Sequence, residues 1–348
     1  MSTPVTLGRW ARPTCPAPAD GPLLDTWGRV HTDLRLSVTD RCNLRCTYCM
    51  PEEGVEWLPR ADLLTVDEIE RVARVAHDLG VRSVRLTGGE PLLRPGLVDI
   101  VGRIAALGFE DLAMTTNAMT LAPLASRLVD AGLQRVNISC DSLDPGRFAT
   151  IRRRGDLATV LAAMDAAEHA GLRPVKVNVV VTAGVNDDEL IDFARFARDT
   201  GRVVRFIEYM PLDAQHAWDR HQVLAGEEIV RRISEVWPLE PVGGRRDDPA
   251  PADRYRFVDG AGEIGVISSV TDAFCGGCNR LRLTADGAIR NCLFAADEWS
   301  ARDVLRRGGS DGDLARLLRA AVWAKLPGHG VNDPGFVQPA RPMSRIGG

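Results

Sequence analysis

Between residues 33 and 210 six short strand-like runs alternate with longer stretches of helical spacing, and no other feature constrains the fold as strongly. The strand candidates are 33–39, 81–86, 112–116, 135–139, 174–181 and 203–209. In the stretch 65–79, Val66, Ile69, Val72, Val75, Ala76 and Leu79 share one helical face. Thr65 with Glu68 three residues on has the pattern of an N-terminal capping box. The stretches 97–107, 121–131, 157–170 and 188–199 read the same way. Gly80, Gly108, Gly132 and Gly171 follow helical stretches, where left-handed C-caps are wanted. Strands that alternate with helices belong in a parallel sheet. A closed barrel needs eight units and this region supplies six. The expected architecture is therefore α/β, an incomplete (β/α)6 TIM-like barrel.

Side chains alternate along a strand, so parity separates its faces. Leu34, Leu36 and Val38 oppose Arg35, Ser37 and Thr39; Val84 and Leu86 oppose Arg85 and Thr87. Leu112 and Met114 oppose Ala113 and Thr115; Val136 and Ile138 oppose Asn137 and Ser139; Val175, Val177, Val179 and Val181 oppose Lys176 and Asn178. One face is apolar and meets the helices. The other is polar in five successive strands, unlike the filled interior of a closed barrel, and suits a polar ligand. An antiparallel sheet with one solvated face would alternate likewise, but the interleaved helices count against it. The sixth strand is ambiguous, because Arg205 and Met210 differ in parity.

Composition narrows the class. Of 348 residues 45% are hydrophobic, enough for a sizeable core. The net charge of −4 excludes a nucleic-acid binder held by bulk positive charge. No apolar run reaches bilayer length, and the first thirty residues lack a signal pattern, so a cytoplasmic protein without membrane contact is expected. Residues 1–28, rich in Pro, Ala and Gly, read as a flexible arm in which Cys15 is an incidental thiol. Residues 29–240 hold the barrel. In 241–348 the texture changes to an exposed loop at 243–249, strands at 254–258 and 263–268, and a helix at 312–325, an α+β unit. Of 43 basic residues only Lys176 and Lys325 are lysine, which makes each of them a question.

Six of eight cysteines form two clusters. Cys42, Cys46 and Cys49 spell C-x3-C-x2-C after the first strand; Cys275, Cys278 and Cys292 spell C-x2-C-x13-C. Without an oxidising context, metal binding outweighs disulfide chemistry. Three thiolates on a four-iron cubane leave one iron open to a small molecule. A zinc site completed by a distant fourth ligand, Asp or His in the second cluster, is the alternative for either set. Arg280 and Arg282, on one side of a strand candidate, are placed to clamp phosphates, or are simply a solvated pair.

The first cluster, with Tyr48 just before its third cysteine, resembles the signature of the radical S-adenosylmethionine superfamily, and Gly88-Gly89-Glu90-Pro91 resembles that family's second signature. Across residue 28 to the end, the stretches 34–42, 49–51, 87–91, 177–180, 206–210, 274–278, 292–294 and the terminal Gly347-Gly348 are similar, in order, to the GTP 3′,8-cyclase family of molybdenum cofactor biosynthesis. The resemblance implies a barrel of the radical S-adenosylmethionine type, its open side covered by a C-terminal iron–sulfur domain. It implies two 4Fe-4S clusters, the first on Cys42, Cys46 and Cys49, the second on Cys275, Cys278 and Cys292. It assigns Tyr48, Gly89, Ser139 and Met210 to S-adenosylmethionine, and Arg35, Arg85, Thr115, Lys176, Arg280 and Arg282 to GTP. Lys176 then supplies a point charge to phosphate; the plain alternative is a chance strand lysine. The implied reaction removes the ribose 3′ hydrogen with a 5′-deoxyadenosyl radical and closes the ribose onto guanine C8. The implied partners are a flavodoxin or ferredoxin reductant and a downstream cyclic pyranopterin monophosphate synthase, and a homodimer is admitted. Ala118 and Cys140 depart from the family pattern, Cys140 reading as a small core residue. The competing readings are a peptide-modifying two-cluster radical enzyme, and a metal-binding module or ferredoxin-like carrier without catalysis.

Overall fold

The computed structural model describes residue 13, residues 15–243 and residues 249–347. Most of the expected 243–249 loop, much of the arm and Gly348 lie outside the described residues.

The strands are β1 (Asp33–Ser37), β2 (Ser83–Thr87), β3 (Asp111–Thr116), β4 (Arg135–Ser139), β5 (Lys176–Val181), β6 (Val203–Glu208), β7 (Leu239–Val242), β8 (Asp253–Phe257), β9 (Glu263–Ile267), β10 (Arg280–Leu283), β11 (Ala288–Arg290) and β12 (Trp299–Ser300). The helices are α1 (Val66–Asp78), α2 (Leu97–Ala106), α3 (Ala125–Asp130), α4 (Pro145–Arg152), α5 (Leu157–Ala170), α6 (Leu190–Thr200), α7 (Gly226–Ser234), α8 (Ala301–Arg306), α9 (Asp311–Trp323) and α10 (Met343–Ile346). Local chemistry sets their ends. The Thr65–Glu68 capping box starts α1, and Ser310 with Asp313 forms a second box at α9. Pro123 sits in a 3-10 turn, so the expected 121–131 helix begins late, at Ala125. The sequence reading missed α4, which Asp144 caps through the Arg147 N–H and Pro145 opens.

All twelve described strands join one sheet in the order β12-β11-β10-β1-β2-β3-β4-β5-β6-β9-β8-β7. From β1 to β6 every pairing is parallel, as the β-α alternation requires. Two strands from the C-terminal part extend this parallel run: β10 pairs with β1, and β9 pairs with β6. The two strands wanting for eight thus come from later in the chain, one at each edge. Antiparallel partners β11 and β8 continue the sheet outward.

The parity reading holds. Leu34, Leu36, Val84, Leu86, Leu112, Met114, Val136, Ile138, Val177 and Val179 all lie in the main apolar core with the helices. Each such aliphatic side chain contributes about 1.5–3 kcal/mol by leaving water. The register carries the opposite face from strand to strand: Arg282, Arg35 and Arg85 are neighbours, as are Thr115 and Asn137, Asn137 and Lys176, and Asn178 and Arg205.

The reading of residues 1–28 as a flexible arm needs correction where the chain is described. Leu23 and Asp25 are buried, Leu24 bridges Val30, and Arg319 of α9 donates to the carbonyls of Asp20, Gly21 and Pro22. Proline and glycine richness concealed a segment ordered by contacts with the other end of the chain.

Candidate functional site

Cations line the lumen. Arg35 and Arg205 are 9% and 7% exposed, and Arg282 8%. Arg35 is held by Asp33 through two hydrogen bonds of 2.9 and 3.1 Å. Burial opposes a charge on Asp33, but Arg35, Arg85 and Arg280 outweigh it and keep the carboxyl below its ordinary range. Burial, then Arg35 and Arg205, pushes Arg85 well below the usual guanidinium value. Burial, then Arg35, brings Arg205 and Arg282 each down to about 9. Burial, then Arg205, Arg135 and Arg85, brings Lys176 down to about 8. The Nε atoms of Arg85 and Arg205 are buried without a hydrogen-bond partner in the chain. So many crowded cations, with donors unused, fit a ligand bearing clustered anionic oxygens.

Arg205 resolves the ambiguity of the sixth strand. Val204 and Phe206 are buried in the core on either side of it, and Gly265 opposite leaves room where a Cβ would stand 3.0 Å from Arg205 Cγ. The alternation Val204-Arg205-Phe206 carries this signal; Met210 differs in parity because it lies past the end of β6. Thr115 Oγ1 accepts from Asn137 Nδ2 at 3.4 Å. Arg282 Nη1 donates to Gly347 O at 2.7 Å, so the C-terminal tail enters the lumen beside Ser37 and Thr87.

Cys42, Cys46 and Cys49 follow the C-terminal end of β1. Glu90 N donates to Arg41 O at 2.7 Å and Gly89 N to Thr39 O at 2.8 Å, so the Gly-Gly turn nests against this loop. A Cβ at Gly89 would lie 2.4 Å from Asp40 O, so glycine is required there by the neighbouring backbone. Glu90 is buried and accepts from Thr116 Oγ1 and Asn117 N at 2.7 Å. Burial raises its carboxyl to about 7, against the pull of those donors. Cys42 Sγ faces Leu44 N at 3.5 Å and Asn117 Nδ2 at 3.8 Å, while Arg152 Nη1 donates to Cys46 Sγ at 3.3 Å. Tyr48 donates to Asp141 Oδ2 at 2.7 Å, and Arg152 Nη2 stands 2.7 Å from the same oxygen. Arg152 Nη2 is off the line of an N–H bond, so its contact with Asp141 is one of charge. Burial pushes the Cys42 thiol up to about 12 and the Cys49 thiol upward as well. Ser139 ends β4, and Met210, just past β6, packs against a small apolar cluster of Leu212, Val270, Phe294, Val331 and Ile346, as do Cys292 and Met343.

The second set lies at the other end of the strands. Cys275 and Cys278 precede β10, which runs parallel to β1, and Cys292 follows antiparallel β11. The five residues of β1 separate the two ends by roughly 13 Å at about 3.3 Å per residue. Cys278 Sγ accepts from Arg280 Nη2 and from Lys325 Nζ, both at 3.3 Å. Burial opposes ionisation of Cys278, but Arg280 and Lys325 win and bring the thiol down to about 6. Arg280 also lies over the Phe274 ring at 4.6 Å and pairs in register with Asp33. A cavity of 580 Å³ beside Cys292, lined among others by Phe294, His329 and Phe336, includes none of the lumen residues Arg35, Arg85, Arg205 and Arg282.

All eight cysteines are free thiols, and Cys140 is buried in the core while Cys15 is exposed. Within each set the thiols are electrostatic neighbours: Cys49 senses Cys46 and Cys42, and Cys275 senses Cys292 and Cys278. Among the described residues no three His, Cys, Asp or Glu side chains close around a single-ion position. Thiolates on a cubane bind separate irons. Sulfurs already accepting cationic hydrogen bonds suit thiolate ligands, so each donor set fits an iron–sulfur cluster.

The sequence matches two family patterns, the Radical SAM superfamily over residues 36–197 and Molybdenum Cofactor Synthesis C over 202–331. It is 49% identical over 348 residues to a GTP 3′,8-cyclase of Mycobacterium sp. (strain KMS), covering 99% of each chain. It is 51% identical over 328 residues to a GTP 3′,8-cyclase of Streptomyces coelicolor, covering 94% of this chain and 96% of that one. Among solved structures, SuiB of Streptococcus suis bound to S-adenosylmethionine is similar with a TM-score of 0.59 at 14% identity, over 86% of this chain and 65% of that chain. The native anSMEcpe with bound AdoMet is similar with a TM-score of 0.54 at 14% identity, over 83% of this chain and 81% of that chain. Such identities establish the fold, and the near full-length relatives establish the family: this chain belongs to the GTP 3′,8-cyclases of the radical S-adenosylmethionine superfamily.

Proposed function

We propose that the chain converts GTP to 3′,8-cyclo-7,8-dihydro-GTP, the first step of molybdenum cofactor biosynthesis, in the lumen between its two cysteine sets. The observation that carries this reading is the run of buried cations Arg282, Arg35, Arg85 and Arg205 with Lys176, flanked by three thiols at either end of the strands. When bound, the first 4Fe-4S cluster with S-adenosylmethionine supplies the 5′-deoxyadenosyl radical that removes the ribose 3′ hydrogen.

The chain's own residues do the positioning. Cys42, Cys46 and Cys49 hold the first cluster, and Cys275, Cys278 and Cys292 the second. Tyr48, Gly89, Ser139 and Met210 line the S-adenosylmethionine site near the C-terminal ends of the strands. Arg35, Arg85, Thr115, Lys176, Arg280 and Arg282, joined by Arg205, receive GTP. The triphosphate supplies the anionic oxygens that Arg85 Nε and Arg205 Nε lack. The tail at Gly347 enters the lumen beside Ser37 and Thr87 and takes up space that water would fill. Residues 29–240 act as the radical-generating unit and 241–348 as the carrier of the second cluster. A flavodoxin or ferredoxin delivers electrons, a cyclic pyranopterin monophosphate synthase consumes the product, and the reaction belongs in the cytoplasm, where GTP is found.

The test is an anaerobic assay of reconstituted chain with GTP, S-adenosylmethionine and reductant. 5′-Deoxyadenosine should form when GTP is present and not when it is withheld. Formation at the same rate without GTP, or none with it, would overturn the reading.

A further inference from the structure

The GTP site makes use of Lys176, one of only two lysines among 43 basic residues; the other, Lys325, lies outside it. Lys325 follows α9 and is 3% exposed. Its Nζ stands 2.8 Å from Arg280 O, 3.3 Å from Cys278 Sγ, 3.4 Å from Cys278 O and 3.5 Å from His31 Nδ1. An ammonium has three hydrogens and accepts nothing, so these four acceptors share the group, its carbonyl and sulfur contacts with Cys278 included, and His31 Nδ1 must be an acceptor. His31 Nε2 then donates to Asp25 Oδ2, 3.0 Å away. Asp25 in turn receives Arg29 Nε at 2.6 Å, and the Arg29 guanidinium reaches Cys275 O at 2.6 Å and Leu326 O at 2.7 Å. Residues 25–31 therefore form a bracket around the second cysteine set. Asp25 and His31 are 1% exposed, so the bracket is built into the interior. Its scaffold atoms are carbonyls, a ring and a carboxylate; the sulfur is the one partner of Lys325 with chemistry of its own.

We propose that Lys325 is a positioning residue for the second cluster: fixed by His31 and Asp25, its ammonium is aimed at the Cys278 sulfur and, beside Arg280, raises the reduction potential of that cluster. The proposal rests on the reading that Cys275, Cys278 and Cys292 hold a 4Fe-4S cluster. Hydrogen bonds to ligand sulfur and nearby positive charge favour the reduced, more negative state of a cluster. Removing Lys325 leaves more electron density on the thiolate and lowers the potential.

Redox titration of the full holoprotein, followed by electron paramagnetic resonance, tests this. Iron and sulfide analysis of the unaltered chain comes first; a single cluster there would end the cluster reading itself, before any variant is made. In Lys325→Met the second cluster's reduction equilibrium should fall about tenfold, about 59 mV for a one-electron couple, with the first cluster unmoved. Lys325→Arg, which keeps the charge, should recover most of the shift. An unchanged potential with the cluster retained, or an equal fall in Lys325→Arg, would overturn the proposal. Where Lys325→Met does not retain the second cluster, His31→Asn decides: a fall in the same direction supports the proposal and an unmoved potential overturns it.

Discussion

The two cysteine sets offer the same donors and differ in what surrounds them. Around the first, Cys42 Sγ meets a backbone N–H and a neutral amide, and the cation on Cys46, Arg152, is matched by Asp141 at 2.7 Å with both side chains buried. Around the second, Cys278 Sγ meets two cations, Arg280 and Lys325. Asp33, hydrogen-bonded to Arg35, offsets Arg280 only in part, and Asp25 pairs with Arg29 and His31 rather than with Lys325. Three thiolates on a cubane can thus be given opposite electrostatic settings by the residues behind them. The compensated cage suits a strongly reducing cluster. The cage with surplus positive charge suits one that faces an electron-rich substrate.

The largest expected effect separates the cages by function. Cys292→Ser should abolish GTP turnover while the first cluster remains, halving the iron content; Cys46→Ser should abolish 5′-deoxyadenosine formation altogether. Undiminished turnover in Cys292→Ser would erase the distinction. Next comes Asp141→Asn, which uncovers Arg152. Loss of one partner from so buried a pair costs about 3–5 kcal/mol of stability in denaturant unfolding. The uncompensated cation should also raise the first cluster's potential toward the second's; a lowered potential would contradict the charge argument.

A smaller effect lies between the cages. Removing one charged phosphate contact costs about 1.5–3 kcal/mol, so Arg205→Met should raise the KM for GTP about 10- to 100-fold. Lys176 has a free-chain value near 8, below its ordinary 10.5, so its charge is present below that pH and is lost above it. GTP affinity should therefore weaken as pH rises past about 8, and Lys176→Met should flatten that limb of the profile. The smallest effect sits behind the first cage. Ala118, next to the Asn117 that faces Cys42, has φ of 63°, where a Cβ is strained. Relief of about 1–2 kcal/mol in Ala118→Gly is offset by about 0.5–1 kcal/mol of chain entropy, leaving a gain of at most about 1.5 kcal/mol by thermal unfolding. A marked loss would mean that packing of the Ala118 methyl dominates.

What the sequence disclosed was local or periodic. The α1 capping box spans four residues, and the polar faces of β1 to β5 follow from alternation, so both were legible. The cysteine sets announced themselves by spacing. What stayed hidden depends on contacts across the chain. No periodicity tells that the four-residue β10 adds to β1 or that β9 adds to β6. His31 and Lys325 are 294 positions apart, so the bracket around the second set could not be read from either neighbourhood. Arg205 was within reach of the parity argument, because Val204 and Phe206 flank it in the core.

The central contrast is tested most directly by measuring the two midpoint potentials separately under identical conditions. One chain would keep only the second cluster, with Cys42, Cys46 and Cys49 changed to Ala; the other would keep only the first, with Cys275, Cys278 and Cys292 changed to Ala. The second cluster should be reduced at the higher potential. Equal potentials, or the reverse order, would contradict the account.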